Sequence, residues 1–412
     1  MNRAIRSTTP FASAPRPSST RHRLKGLMPL AVAVMLCLPQ AAAARAIREV
    51  NLVTDDQSVL ASLGFTPAAS VDPNLINPWG VAESPTGPFW VSNQGSGTST
   101  LYNSSGTPQP LVVAVPGREA PPTGPTGQVF NPGGGFTLAN GATARFLFAN
   151  LDGSISGWNP AAGTNALRAV TPTGERAAAY TGLAIGTVGA NTYLYAPNRV
   201  TGRIDVYDSA FAPTSLTGGF VDPGANPAGL VPFNVANIGN RLWVTYSVPG
   251  ADADEASLGS GFISEFMLDG TFVRRLTNGG PLSSPWGLAI APSSFGPLGG
   301  ALLVGNFSEQ FGQINAFNLA DGAFLGALTD KTNSLITIPY LWALQPGNGG
   351  NGGSASSIYF TAGIGDEAHG LLGELAAVPE PANWAMMLIG FGVIGNALRR
   401  HKRAVPGALM VR

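Results

Sequence analysis

The chain has 412 residues, room for two or three ordinary domains or one large all-β unit, and its 54 Gly, 34 Pro and 11% charged residues suit short strands joined by many turns. A hydrophobic content of 44% is too high for disorder. The formal charge of zero hides basic ends around an acidic middle: residues 45 to 377 carry 12 Lys/Arg against 22 Asp/Glu, which speaks against nucleic acid as a partner.

The first element is a leader. Arg3, Arg6, Arg16, Arg21, Arg23 and Lys25 precede the apolar run Leu27 to Leu38, and Gln40 and Ala41 to Ala44 follow it. A positive region, a short apolar core and a small-residue site make a secretory signal peptide, so residues 1 to 44 are expected to form a signal helix cleaved near Ala44. The only cysteine, Cys37, lies in that run. The exported chain would then have no disulfide, thiolate nucleophile or Cys-based metal site.

Next comes Glu49 to Thr54, an alternating run that reads as a strand with no partner nearby in sequence. Six blocks follow. The first has Pro78 to Ala82, Phe89 to Asn93, Thr98 to Tyr102 and Leu111 to Val115. The second starts weakly around Phe136 to Ala139 and continues with Arg145 to Asn150 and Gly153 to Trp158. The third has Gly182 to Ile185, Tyr193 to Asn198 and Gly202 to Asp208; the fourth Phe233 to Ala236, Arg241 to Thr245 and Gly261 to Phe266. The fifth has Trp286 to Ile290, Leu302 to Asn306, Gly312 to Phe317 and Phe324 to Leu328, and the sixth Trp342 to Leu344, Ser357 to Thr361 and Gly370 to Leu375. Repeats of roughly 40 to 50 residues with four short strands are propeller blades. The sixth block lacks a fourth strand and Glu49 to Thr54 lacks a home. We therefore expect residues 45 to 377 to form an all-β, six-bladed β-propeller whose last blade the N-terminal strand completes, hiding an edge.

The glycine-led strands, with runs such as Val304-Gly305-Asn306, resemble those of NHL-repeat and gluconolactonase-type propellers. Residues 48 to 376 as a whole resemble an uncharacterised family of secreted bacterial six-bladed propellers. That resemblance implies a fold and a location but no activity.

The last element, residues 378 to 412, begins Val378-Pro379-Glu380-Pro381-Ala382-Asn383-Trp384-Ala385. Its stretch Ala382 to Leu398 is apolar apart from Asn383 and Asn396, and Arg399, Arg400, Lys402 and Arg403 close it. Seventeen residues at ~1.5 Å each reach about 26 Å, the short limit of a transmembrane helix, with the basic cluster on the cytoplasmic side. The segment resembles the PEP-CTERM sorting signal of Gram-negative bacteria, apart from running on past its basic cluster to Arg412. The resemblance implies a transient inner-membrane anchor, recognition by an exosortase, and delivery to the cell surface or exopolysaccharide, with Pro379, Glu380, Pro381, Trp384, Arg399 and Arg400 as the sorting residues.

Candidate site residues come from the repeat. Trp79, Trp286 and Trp342 recur on first strands, where large rings either pack between blades or offer an aromatic platform to a sugar near the tunnel. Asn93, Asn150, Asn198 and Asn306 each end a second strand. They either serve the turn that follows or converge on a ligand. Asp252, Asp254 and Glu255 share one loop and could begin a calcium site, or form a solvated tip. His369, beside Asp366 and Glu367, is the only histidine of residues 45 to 377. It is too solitary for a His-rich metal centre and has no nucleophile-elbow serine to pair with. Gly95 to Gly97 and Gly347 to Gly353 open no helix, so neither reads as a phosphate loop. Two functions stay open: a surface-associated binding or matrix module, and a metal-dependent lactonase or hydrolase. Converging Asp, Glu and Asn oxygens at one tunnel mouth would favour the hydrolase, and a plugged tunnel the binding module.

Overall fold

The computed structural model describes residues 46–117, 123–171, 178–250 and 253–378. The expected signal helix, the sorting motif from Pro379 onward and the transmembrane segment lie outside them. None of the described helices is long and apolar enough to cross a membrane.

The described residues form six antiparallel sheets. The first blade takes Pro78–Ala82, Phe89–Asn93, Thr98–Tyr102 and Pro108–Ala114. The second takes Pro125–Phe130, Phe146–Asn150, Ile155–Trp158 and Leu167–Val170, and the third Ala184–Val188, Asn191–Asn198, Arg203–Tyr207 and the short Pro213–Thr214. The fourth takes Val231–Ile238, Arg241–Ser247, Phe262–Met267 and Phe272–Asn278, and the fifth Pro285–Ile290, Leu302–Asn306, Ile314–Phe317 and Phe324–Ala327. The sixth has Leu341–Pro346, Ser357–Ala362 and Leu371–Ala377, and its fourth strand is Ile47–Thr54. That N-terminal strand runs antiparallel to the chain's last strand from Ile47 opposite Ala377 to Thr54 opposite Leu371, with a bulge between Asn51 and Val53. The expected closure is therefore present. A fifth strand, Ser70–Val71, pairs parallel with Val53 and Thr54 and covers part of the outer edge. Between them lies a short helix, Gln57–Ser62, whose N-terminus Asp56 caps by accepting from the Ser58 and Val59 amides.

Side chains two apart on a strand share a face, so each blade offers one apolar face to the blade before it and one to the blade after. Phe146 and Phe148 face the first blade and its Trp90, while Leu147 and Ala149 face Leu194 and Ala196 of the third. Six core clusters result, one in each gap between neighbours, and the cluster between the sixth and first blades extends onto the axis. Each buried Leu, Val or Phe contributes about 1.5–3 kcal/mol of burial free energy, and the largest clusters flank the sixth blade, where the ring closes.

Several boundaries differ from the sequence reading, two inner strands and the outer strands most: the first blade's outer strand is Pro108–Ala114 rather than Leu111 to Val115, and those of the second, third and fourth blades have no counterpart in that reading. The second blade's inner strand is Pro125–Phe130, and Phe136 to Ala139 belongs to a connection in which Thr137 bridges Thr143. The reason is composition: Pro125-Thr126-Gly127 follows a Pro/Gly-rich stretch and carries Thr where the first, fifth and sixth blades carry Trp. The third blade's inner strand is Ala184–Val188, two residues later than expected.

Candidate functional site

Three first-strand tryptophans meet on the axis. Trp79 stacks on Trp342 with ring centroids 3.5 Å apart. Trp286 stands edge-on to both, at 6.4 Å and 5.6 Å. Phe307 stacks on the other side of Trp342 at 3.8 Å, with Phe233 edge-on to Trp342 at 5.9 Å. All five rings are buried. Offset and edge-on pairs of this kind add about 0.5–1.5 kcal/mol each beyond their burial. The tryptophans thus pack across the ring as well as between neighbours, and they plug the tunnel.

The backbone prepares this arrangement. Asn77, Ser284 and Tyr340, each two residues before an axial tryptophan, have φ of 44°, 43° and 54°. Asn tolerates the left-handed region, whereas Ser and Tyr hold it at a cost of about 1–2 kcal/mol each. Polar bonds then tie the inner strands together. Thr126 Oγ1 donates to Tyr180 O at 2.8 Å, Thr181 Oγ1 to Phe233 O at 2.6 Å, Asn234 Nδ2 to Trp286 O at 2.8 Å, and Thr361 Oγ1 to Trp79 O at 2.5 Å. Trp286 Nε1 crosses to Thr181 O at 2.8 Å, and Trp342 Nε1 reaches Asn77 Oδ1 at 3.0 Å. Trp79 Nε1 is buried without an acceptor among the described residues.

On one side of the plug the tunnel widens into a basin of about 850 Å³. Its wall contains residues from the C-terminal half of all six inner strands and, in the first blade, Glu83 just beyond the strand, so all six strands run toward this mouth. Consecutive residues line it, Val81-Ala82-Glu83 and Val235-Ala236-Asn237 among them. Inner strands pair on one side only, so the axis meets their free edges, with peptide N–H and C=O groups exposed alongside the side chains. Trp286 is the one tryptophan of the three that lines the basin.

Side-chain amides supplement the peptide groups. Asn237 Nδ2 bridges to Ile185 O of the third blade at 2.8 Å. Gln128 is buried in the second blade and accepts from Ser92 and Ser99 at 3.0 and 3.2 Å. Among the described residues Glu83 is the only ionisable side chain in the lining. Burial pushes its carboxyl up to about 8, against a small opposing effect of the hydrogen bond from Gln345. Gln345 Nε2 lies 3.4 Å from Glu83 Oε1, and Oε2 is buried without a donor among the described residues.

The far side of the plug is acidic. Burial, with the nearby charges of Asp254 and Asp366 adding to it, raises the Glu367 carboxyl to about 7, and the Asn77 amide 3.0 Å away opposes the rise. Tyr340 donates to Asp366 Oδ1 at 3.1 Å. Arg199 lies over the Phe233 ring at 4.6 Å and donates to Ser247 Oγ, Val248 O and Gly250 O. Asp254 is half-buried and Glu255 exposed, while Asp252 lies outside the described residues. Among the described residues no group of three or more His, Cys, Asp and Glu side chains is placed to hold a metal ion.

The four asparagines are buried in their own blades, and none lines the basin. Asn93 donates to Thr98 and Thr100, Asn150 to Ser154 Oγ and Pro116 O, and Asn306 to Pro281 O. Asn198 donates to Asp205 and accepts from the amides of Ala179, Val200 and Thr201. His369 pairs with Asp55, Nδ1 to Oδ2 at 2.7 Å, at the ring closure and away from its sequence neighbours Asp366 and Glu367. Sequence reasoning missed Glu83, Gln128, Asn237 and Gln345, since strand-edge exposure leaves no hydropathy pattern. It also missed Thr126, Thr181 and Phe233 as counterparts of the tryptophans, although the spacing of about fifty residues pointed to them.

No protein-family model matches the chain. It is 33% identical over 339 residues to Uncharacterized protein L690 of Acanthamoeba polyphaga mimivirus, covering 79% of this chain and 85% of that protein. It is 31% identical over 318 residues to Uncharacterized protein R648 of the same virus, covering 75% of this chain and 76% of that protein. Among solved structures it is similar to virginiamycin B lyase from Staphylococcus aureus, with a TM-score of 0.45, 12% identity, and 81% of this chain and 99% of that chain covered.

Proposed function

We propose, for a chain that belongs to the family of the mimivirus proteins L690 and R648, that it is a binding module whose basin receives a small hydrogen-bonding ligand such as the end of a saccharide chain. The observation that carries this reading is the shape of the tunnel: one mouth plugged by aromatic rings, the other open and walled by free strand edges. Such a wall offers donors and acceptors at close spacing, and among the described residues no Lys, Arg or His side chain lines it. The hydrolase alternative asks for converging carboxylates beside an open cavity; those of Glu367, Asp366 and Asp254 lie on the far side of the plug, and among the described residues the basin supplies Glu83 alone.

A panel of neutral oligosaccharides titrated into the purified full chain tests this reading through tryptophan fluorescence and calorimetry. Asn237→Trp places a large ring at the exposed mouth and is expected to weaken any binding at least about tenfold, or 1.4 kcal/mol. Unchanged affinity in that variant, or an absence of binding across the panel, would rule out the basin as a saccharide site.

We also propose that the protein is exported and handed to the surface or exopolysaccharide of a Gram-negative bacterium through an exosortase. The support is the sequence of residues 1 to 44 and 378 to 412; the mimivirus relatives add none. Mass spectrometry of cell-surface and membrane fractions tests it. The expected product lacks the leader and ends near Pro379-Glu380-Pro381, and intact termini in every fraction would remove the proposal.

A further inference from the structure

Resting on the basin reading, we infer that Glu83 makes the basin selective for a hydroxylated ligand that carries a primary ammonium group, such as an amino sugar or amino alditol. Four observations converge on this residue. Among the described residues Glu83 is the sole ionisable group of a lining that otherwise offers peptide groups, amides, threonine hydroxyls and apolar side chains. Its Oε2 is sealed against Gly352, where even a Cβ would stand 1.9 Å away, which leaves Oε1, beside the basin-lining Gln345, as the oxygen for a ligand to meet. Its Oε1 receives only the 3.4 Å approach of Gln345 Nε2. The titratable groups facing it, Tyr359 and beyond it Glu374, are acids, so no described protein cation offsets its charge.

A carboxylate so placed lacks a counterion, and a ligand ammonium at Oε1 supplies one together with a charged donor. A carboxylate ligand would meet like charge, and an alcohol would supply a donor without the charge. Burial holds the carboxyl up to about 8, so Glu83 stays protonated at neutral pH until a cation arrives and displaces that proton. Amine affinity should therefore fall about tenfold for each pH unit below 8, with proton release on binding.

The experiment uses three six-carbon probes that differ at one end: glucamine, sorbitol and gluconate, titrated calorimetrically into the full chain. At pH 8.5 glucamine is expected to bind at least about tenfold more tightly than sorbitol, a difference of 1.4 kcal/mol, and gluconate most weakly. At pH 6 the advantage of glucamine should vanish. Glu83→Gln keeps the shape of the side chain and should bring the glucamine-to-sorbitol ratio to about one at every pH. Equal affinities for the amine and the alcohol in the wild type, or an amine preference that survives Glu83→Gln, would overturn the assignment while leaving the basin reading standing. Failure of all three probes overturns the assignment as well, and Asn237→Trp with the neutral oligosaccharides then decides the basin separately. Should Glu83→Gln fail to fold, the wild-type pH profile still decides.

Discussion

Trp79 lies flat on Trp342, their planes 21° from parallel, and so joins the first blade to the last at the axis of the ring. Neither residue closes the circle through the backbone. Their stacking is a second closure, independent of the pairing between Ile47–Thr54 and Leu371–Ala377. Trp342 also carries Phe307 on its other face and donates to Asn77. Trp342→Ala should therefore cost about 3–5 kcal/mol, the range for emptying a large buried aromatic site. Trp342→Phe should cost less, since it keeps part of the stack and loses the bond to Asn77. Urea unfolding followed by circular dichroism measures both. A loss below about 1 kcal/mol for the alanine variant would show that the plug adds little to the ring.

Gly127 marks the tightest approach between the second and third blades. A Cβ there would stand 2.2 Å from Leu183 N and 2.3 Å from the Gly182 carbonyl carbon, backbone atoms that have no room to yield. Gly127→Ala is expected to destabilise by about 1–3 kcal/mol or more through forced separation of these blades. Gly133 makes a fair control, because a Cβ added there would have no neighbour within 4 Å. Thermal melting should separate the two variants clearly, and equal melting temperatures would contradict the close-approach account.

The blade count and the closing strand were legible because they follow from two-residue alternation and from a repeat that leaves one strand over. Trp79, Trp286 and Trp342 announced the repeat, but their convergence did not show, since the same spacing serves rings that stay between two blades. Trp90 is the contrast: it lies on a second strand and stacks on Phe146 of the next blade at 4.0 Å. The basin was less legible still. Lining by strand edges depends on which strand is innermost, so Glu83 reads in sequence as an ordinary charged residue after an apolar run. The weak start of the second block failed for the opposite reason, because Thr126 does by hydrogen bonding what tryptophan does elsewhere by packing.

The ring closure has its own polar latch. Asp55 follows the closing strand and accepts from the Gly370 amide at 2.8 Å and contacts His369 Nδ1 at 2.7 Å, while Thr54 Oγ1 donates to Gly370 O at 2.9 Å. Asp55→Ala leaves the Gly370 amide without its acceptor and should cost about 1–3 kcal/mol. Hydrogen exchange by mass spectrometry should show faster exchange in 47–54 and 371–377 than in the other blades. Uniform acceleration around the ring would mean that the blades unfold together and that the latch has no local role.

Three half-buried carboxyls, Glu83 and Glu367 at the junction of the sixth and first blades and Glu49 on the closing strand, set a dependence of stability on pH. Burial raises Glu49 and Glu367 to about 7 and Glu83 to about 8 from an ordinary value of 4.5. Glu49 lies on the closing strand, Glu367 accepts from Asn77 and Glu83 from Gln345, so two of them bridge the two blades directly. Between about pH 4.5 and 8 the folded chain keeps protons that the unfolded chain has released, and stability must fall as pH rises through that window. Asp56 and Asp330 act in the opposite sense. Hydrogen bonds from Ser58 and Thr332 hold their carboxyls below 3.8, so the stability they confer is lost on stronger acidification. The melting temperature should accordingly peak near about pH 5 and decline toward pH 8. Glu367→Gln, which can still accept from Asn77, should leave the melting temperature at pH 5 almost unchanged and raise it at pH 8. Calorimetric scans across the range decide the matter, and a flat profile, or a decline of undiminished slope in the glutamine variant, would show that these carboxyls do not govern the junction.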